Sequence, residues 1–176
     1  MLNTESPSTR HTELDLYATA DLVSALVEDQ VHAVDAVRAA GADLARAVDA
    51  AVPRMQQGGR LIYAGAGTSG RLGVLDSVEL YPTFSWPHDR AIGLLAGGAD
   101  AMFTAIEGAE DDATQGTRDM QAVHVATNDV VLLLAASGAT PYVMGALRAA
   151  RSAGALTVGF ANNPHAPLTQ QADIGI

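Results

Sequence analysis

The stretch Arg60-Leu-Ile-Tyr-Ala-Gly-Ala-Gly-Thr-Ser-Gly-Arg71 decides how the rest of the chain folds. Arg60 to Ala66 is a short apolar run of strand length, and Ser69 to about Leu80 carries helical spacing. A strand that passes through glycines straight into a helix is the opening unit of a parallel α/β sheet. The alternation continues downstream. Ala91 to Ala96, Asp129 to Ala136 and Ala155 to Phe160 predict three further strands, and Asp173 to Ile176 the start of a fifth. Ala99 to Ile106, Ala113 to Val123 and Pro141 to Ala153 predict the intervening helices. Successive strand–helix–strand units imply right-handed crossovers. The predicted class is α/β: a Rossmann-like parallel sheet flanked by helices over residues 58–176.

Residues 1–57 predict an N-terminal arm and helical extension. Residues 1 to about 16 are polar and read as a flexible arm. From about Ala18 to Gln57 apolar residues recur every three or four positions, among them Leu22, Leu26, Val31, Val34, Val37 and Leu44. One or two helices fit, with a break near Glu28 to Gln30 and an end at Pro53 and the Gly58-Gly59 pair. At the other end, the chain stops at Ile176 as the fifth strand begins. The expectation is a C-terminally short domain, or an edge completed by a partner.

Composition narrows the function. Of 176 residues, 48% are hydrophobic and 17% charged, enough for a packed core. The formal charge of −10 opposes nucleic acid and anionic membranes, which both demand clustered cations. No cysteine is present, which removes disulfide and thiolate chemistry. No charged start followed by an apolar core marks a signal peptide, and no apolar run reaches membrane-spanning length. A cytoplasmic setting is expected. His11, His32, His88, His124 and His165 show no metal-ligand spacing.

An anionic small ligand remains admissible, because backbone N–H groups at a helix start act locally whatever the net charge. In an open parallel sheet such ligands sit beyond the carboxyl ends of the strands. There Gly67, Thr68, Ser69 and Gly70 offer close backbone approach and two hydroxyls. Gly65, Gly67 and Gly70 also fit the dinucleotide pattern, but the second predicted strand ends in Leu94-Leu95-Ala96 without the carboxylate that a ribose contact demands. After the third strand, Ser137, Gly138 and Thr140 precede Pro141, which suits a first helical position. Two such turns suit a compact sugar phosphate better than a long dinucleotide. Taken singly, the first also admits a plain tight turn with no ligand, as the lesser reading, and the second is equally plain helix capping.

The run from Gly59 to Asp76, together with Leu95-Ala-Gly-Gly98, Glu107-Gly-Ala-Glu-Asp111, Ala135-Ala-Ser-Gly138 and Thr140-Pro-Tyr142, resembles the N-acetylmuramic acid 6-phosphate etherases, which are built on a sugar isomerase (SIS) domain. The resemblance implies cleavage of the D-lactyl ether of a phosphorylated amino sugar in peptidoglycan recycling, yielding N-acetylglucosamine 6-phosphate and D-lactate. It also implies no metal or organic cofactor, and a homodimer with sites near the subunit interface. By the match, Glu79 and Glu110 are the catalytic carboxylates, Glu110 as base at C2 and Glu79 as acid at the ether oxygen.

The residues support those roles in part. Glu79 lies beside the Leu72, Leu75 and Val78 stripe and near a helix C-terminus, and both settings favour a neutral carboxyl. Without the resemblance, Glu79 reads as an exposed residue at a frayed helix end, and Glu110 as part of a solvated, helix-starting acidic cluster. Four features depart from the family. Leu80-Tyr81 replaces Cys-Pro, Ala139 stands where Arg is usual, and Asn162-Asn163-Pro164-His165 only partly matches Cys-Asn-Pro-Gly. The family also continues beyond this length. Two alternatives therefore stand beside the etherase: a non-catalytic sugar-phosphate-binding or regulatory module, and a sugar-phosphate isomerase of the same fold.

Overall fold

A computed structural model describes residues 3–176. Five strands form one parallel sheet: β1 (Leu61–Gly65), β2 (Ala91–Leu95), β3 (Val130–Leu134), β4 (Leu156–Phe160) and β5 (Ile174–Gly175). Their spatial order is β2-β1-β3-β4-β5. The α/β reading therefore holds, and each predicted strand is present within a residue or two of its expected ends. β1, β3 and β4 are buried almost throughout, as parallel strands covered on both faces must be.

Among the described residues, six α-helices accompany the sheet: α1 (Thr19–Ala39), α2 (Gly41–Gln56), α3 (Gly67–Phe84), α4 (Ala113–Ala122), α5 (Pro141–Ser152) and α6 (Pro167–Gln171). The main core lies where α4 and α5 cover the sheet, around Ile62, Val131, Leu133, Tyr142, Val143 and Leu147. A second cluster joins α2, through Ala47, to Val130, Leu156, Val158 and Ile174. Polar ties join α4 to α5 on this side of the core: the Tyr142 hydroxyl donates to Asp119 Oδ2 at 2.6 Å, and the Thr117 hydroxyl donates to the Gly145 carbonyl at 3.1 Å. Burial and that carboxylate push the Tyr142 phenol far above its ordinary value.

Several boundaries differ from the sequence reading. The helical extension breaks at Ala40, not near Glu28 to Gln30. Pro53 lies inside the last turn of α2, where its missing N–H costs one bond and the helix ends three residues on. Pro82 likewise lies inside the last turn of α3, two residues before its end; this helix starts at Gly67 and reaches Phe84, well beyond Leu80. Ala99 to Ile106 is not a helix; only a 3₁₀ turn at Ala99–Met102 forms. In that segment Ala101 is buried, whereas Phe103 is exposed. The described part of the arm contains 3₁₀ turns at Asn3–Glu5 and Leu14–Leu16. Thr4 docks on the body: its N–H donates to Asn163 Oδ1 at 3.2 Å, and Asn163 Nδ2 donates to Thr4 Oγ1 at 2.9 Å. Met1 and Leu2 lie outside the described residues.

The apolar stripe of α1 does not enter the core. Only Ala25 is buried on this helix, while Leu26, Val31, Val34 and Val37 are exposed. No helix among the described residues is long and apolar enough to cross a membrane.

At the amino ends of β1 and β3, one ion pair locks two strands together. The Arg60 guanidinium donates to Asp129 from Nε at 3.1 Å and from Nη2 at 2.6 Å, and Asp129 is buried. Asp129 also accepts from the Arg60 and Ala126 N–H groups. Burial alone would raise the Asp129 carboxyl, but Arg60 and these N–H groups outweigh it and hold the group below the ordinary carboxylate range. Its contribution is thus complete above the unfolded-state value and lost as pH falls through the lower folded-state value. Asp129→Ala is expected to cost about 2–4 kcal/mol in urea denaturation at neutral pH. The variant should also lose part of the wild-type chain's steepening loss of stability below the ordinary Asp range.

Candidate active site

Only Ala66 separates β1 from α3. This tight passage exists because Gly65 and Gly70 face each other without side chains. A Cβ on Gly70 would lie 2.6 Å from the Gly65 carbonyl carbon, and one on Gly65 would lie 2.7 Å from the Gly70 Cα. Gly67 sits at φ 53, the left-handed region that favours glycine, with open space where its Cβ would be. The first turn of α3 opens onto the sheet edge. Its leading N–H groups have no acceptor within the helix, and no side chain caps them.

Beside it, β3 ends in the turn Ala135 to Thr140, which leads into α5 at Pro141. Ser137 Oγ accepts from the Ala139 N–H at 3.2 Å and lies 3.4 Å from Thr140 Oγ1. The loop after β4 holds this turn from behind. Asn163 Nδ2 donates to the Ser137 carbonyl at 3.0 Å, and the Asn162 N–H donates to that of Ala136 at 2.9 Å. Asn163 therefore ties the arm at Thr4 to the β3–α5 turn.

β1 and β3 are neighbours, and the chain winds away from them in opposite directions. The space beyond their carboxyl ends is the switch point of the sheet, where open α/β folds bind ligands. A cavity of about 520 Å³ lies there. Gly67, Thr68 and Ser69 line one wall, Ser137, Ala139 and Thr140 another, and Glu110 and Asp111 a third. Thr4 and Glu5 reach it from the arm. None of its described lining residues is cationic, so an anion entering it would meet hydroxyls and backbone N–H groups.

Of the residues singled out from sequence, Gly67, Thr68, Ser69, Glu110, Ser137 and Thr140 come together in this cavity. Gly70 and Gly138 do not line it. Gly70 is buried against Gly65 and Leu95, and Gly138 (φ 70) packs on Ala166 and Ala161. Both shape the turns from behind. Glu110 lies in a 3₁₀ turn at Ala109–Asp111. The helix-starting role falls to Asp112, whose carboxylate accepts from the Gln115 N–H at 2.8 Å. Glu79 lies elsewhere. It is exposed on α3, twelve residues after Gly67 and about 18 Å along the axis at the standard helical rise. It lines none of the described cavities, and α3 runs five residues past it, so it is not at the helix end. Leu72, Leu75 and Val78 are exposed around it. Within one protomer the two carboxylates named from sequence therefore do not share a cavity.

Sequence reading missed Thr4 and Glu5, and named Asn163 only within a segment that partly matches the family. Nothing in their local pattern signals a site; they meet only because the arm folds back over the β4 loop. Among the described residues, no group of three His, Cys, Asp or Glu side chains could hold a metal ion.

The strand order, with a polar cavity at its switch point, defines a doubly wound α/β domain. The chain belongs to the family described as the glucokinase regulatory protein N-terminal SIS domain, whose model matches residues 43–151. Curated relatives match nearly its whole length. An N-acetylmuramic acid 6-phosphate etherase of Deinococcus radiodurans is 56% identical over 170 residues, covering 97% of this chain and 56% of the relative. An enzyme of the same name from Salmonella dublin is 49% identical, covering 98% of this chain and 58% of the relative. The chain thus spans a little over half the length of the curated relatives it matches. Among solved structures, a phosphoheptose isomerase from Francisella tularensis superposes with a TM-score of 0.68 at 17% identity, covering 90% of this chain and 85% of that one. The Vibrio vulnificus NanR protein complexed with ManNAc-6P reaches 0.51 at 18% identity, covering 88% and 53%. These two likenesses establish the fold.

The two glycines at the head of α3 do different work, and substitution separates them. Gly70→Ala drives a methyl into the β1 backbone and should cost about 3 kcal/mol or more. Gly67→Ala meets no atom and should cost about 1 kcal/mol, the conformational penalty alone. Thermal melts of the two variants test this order.

Proposed function

We propose that the cavity beyond β1 and β3 binds a phosphorylated amino sugar, and that the chain carries the etherase chemistry of its curated relatives. The observation that supports this most directly is the convergence of two hydroxyl-bearing turns and Glu110 on one switch-point cavity. The relatives' shared name selects N-acetylmuramic acid 6-phosphate among sugar phosphates. The ManNAc-6P held by a structural neighbour makes an amino-sugar phosphate a natural size for the fold.

In this reading the phosphate rests on Thr68, Ser69, Ser137 and Thr140, and on the N–H groups that open α3. The sugar chain then extends toward Glu110. As base, Glu110 removes the C2 proton of the open-chain aldehyde. The C3–O bond breaks, and the departing lactate oxygen takes a proton from Glu79. Water adds across the resulting C2=C3 bond, hydroxyl to C3 and proton to C2. The products are N-acetylglucosamine 6-phosphate and D-lactate, and each proton transfer contributes roughly 10²–10⁴ in rate. We take residues 1–57 as a helical extension on a SIS domain of residues 58–176, working in the cytoplasm.

The acid is the demanding part of this scheme, since Glu79 stands on the outer face of α3. A homodimer resolves it. Exposed Leu72, Leu75 and Val78 surround Glu79, and the α1 stripe adds further uncovered apolar surface. Burying such surfaces against a second copy is favourable, and it would deliver Glu79 of one protomer to the cavity of the other.

The test is D-lactate release from N-acetylmuramic acid 6-phosphate. Glu110→Gln and Glu79→Gln should each lower kcat by at least about 10². Mixing the two inactive variants should restore part of the activity, because one site per mixed dimer regains both carboxylates. Ligand-dependent stabilisation without lactate release would favour the binding module instead. Interconversion of aldose and ketose phosphates would favour the isomerase.

A further inference from the structure

A second, smaller cavity of about 200 Å³ adjoins the first. Ala66, Gly67 and Glu110 line both, so Glu110 stands at the boundary between them. The walls of the smaller cavity are mostly methyl-bearing, including Ala101, Ala105 and Ile106, with Arg71 and Glu107 as its other charged residues. Arg71 follows the glycine turn by one residue. Its Nε donates to the Ala101 carbonyl at 2.8 Å, which fixes the plane of the guanidinium. None of the ion pairs among the described residues includes it.

Resting on the reading given under Proposed function, we propose that this side cavity is the subsite for the lactyl group, and that Arg71 determines specificity by binding its carboxylate. With the phosphate on the two turns and C2 at Glu110, the substituent on neighbouring C3 extends past Glu110, into the side cavity. A lactyl group carries one methyl and one carboxylate. Ala105 and Ile106 suit the methyl, and Arg71 is the one cation among the lining residues. Glu107 and Glu110 share the cavity and would repel a second anion, so the carboxylate is admitted only where the guanidinium offsets them. The larger cavity has no described cation. The two anionic ends of the substrate are thus told apart: neutral donors for the phosphate, a guanidinium for the carboxylate.

The test compares two ligands that differ at C3, N-acetylmuramic acid 6-phosphate and N-acetylglucosamine 6-phosphate. Calorimetric titrations use Glu110→Gln protein, in which turnover is stopped. Adding Arg71→Gln should weaken the first ligand roughly 10–100-fold, the loss of one charge-assisted contact, and change the second by less than about twofold. Ala105→Leu, at an exposed position, should narrow the side cavity and produce the same selective loss without touching the Arg71 contact to the 99–102 turn. Equal weakening of both ligands, or no change in either, overturns the lactyl subsite while leaving the sugar-phosphate reading in place. Failure of the Glu110→Gln parent to bind either ligand overturns that reading, and the subsite with it.

Discussion

The close approach of Gly65 and Gly70 is the constraint on which the rest depends. Two backbones meet where any side chain would collide, and α3 can therefore begin after a single intervening residue, Ala66. That brevity brings Thr68, Ser69 and the unpaired N–H groups of α3 up to the carboxyl edge of the sheet. β1 is central, paired with both β2 and β3, so the turn after β3 lies alongside. The Arg60–Asp129 pair pins the same two strands at their other ends. Fixed at both ends, β1 and β3 hold two polar turns at a set separation, and the cavity between them follows.

The five strands and the order of elements were legible from sequence because their signals are local. Apolar runs such as Val130–Leu134 and glycine or proline at run ends mark strands and turns without knowledge of the partners. The strand order was not legible, since which parallel neighbours pair is decided by helix packing across the sheet. Nor was the fate of Ala99 to Ile106, where helical spacing yields only a 3₁₀ turn. Pro53 and Pro82 read as terminators but lie inside helix ends, where losing one N–H is cheap. The polar arm gave no sign that Thr4 would find Asn163, a contact spanning most of the chain.

The site was legible to a similar degree and for the same reason. Turn residues next to strand ends, Thr68 and Ser137 among them, are placed by local geometry and arrive in one cavity. Gly70 and Gly138 belong to the same motifs but serve the backbone behind it. Glu79 belongs to a helix face, and which way that face points depends on what covers it. In one protomer nothing does. The apolar residues around Glu79 and along α1 make assembly the natural completion of the proposed chemistry. A strongly acidic chain can still take an anionic ligand in this arrangement, because neutral donors act at contact range while net charge acts from afar.

The central claim is that a sugar phosphate sits at the β1–β3 switch point on uncharged donors. The most direct measurement is the map of backbone amide shifts in the full chain as N-acetylglucosamine 6-phosphate is added. The largest perturbations are expected at Gly67 to Ser69 and Ser137 to Thr140. Shifts centred on the separate cavity between α1 and the β5 edge, around Ala36 and His165, with the two turns silent, would contradict it.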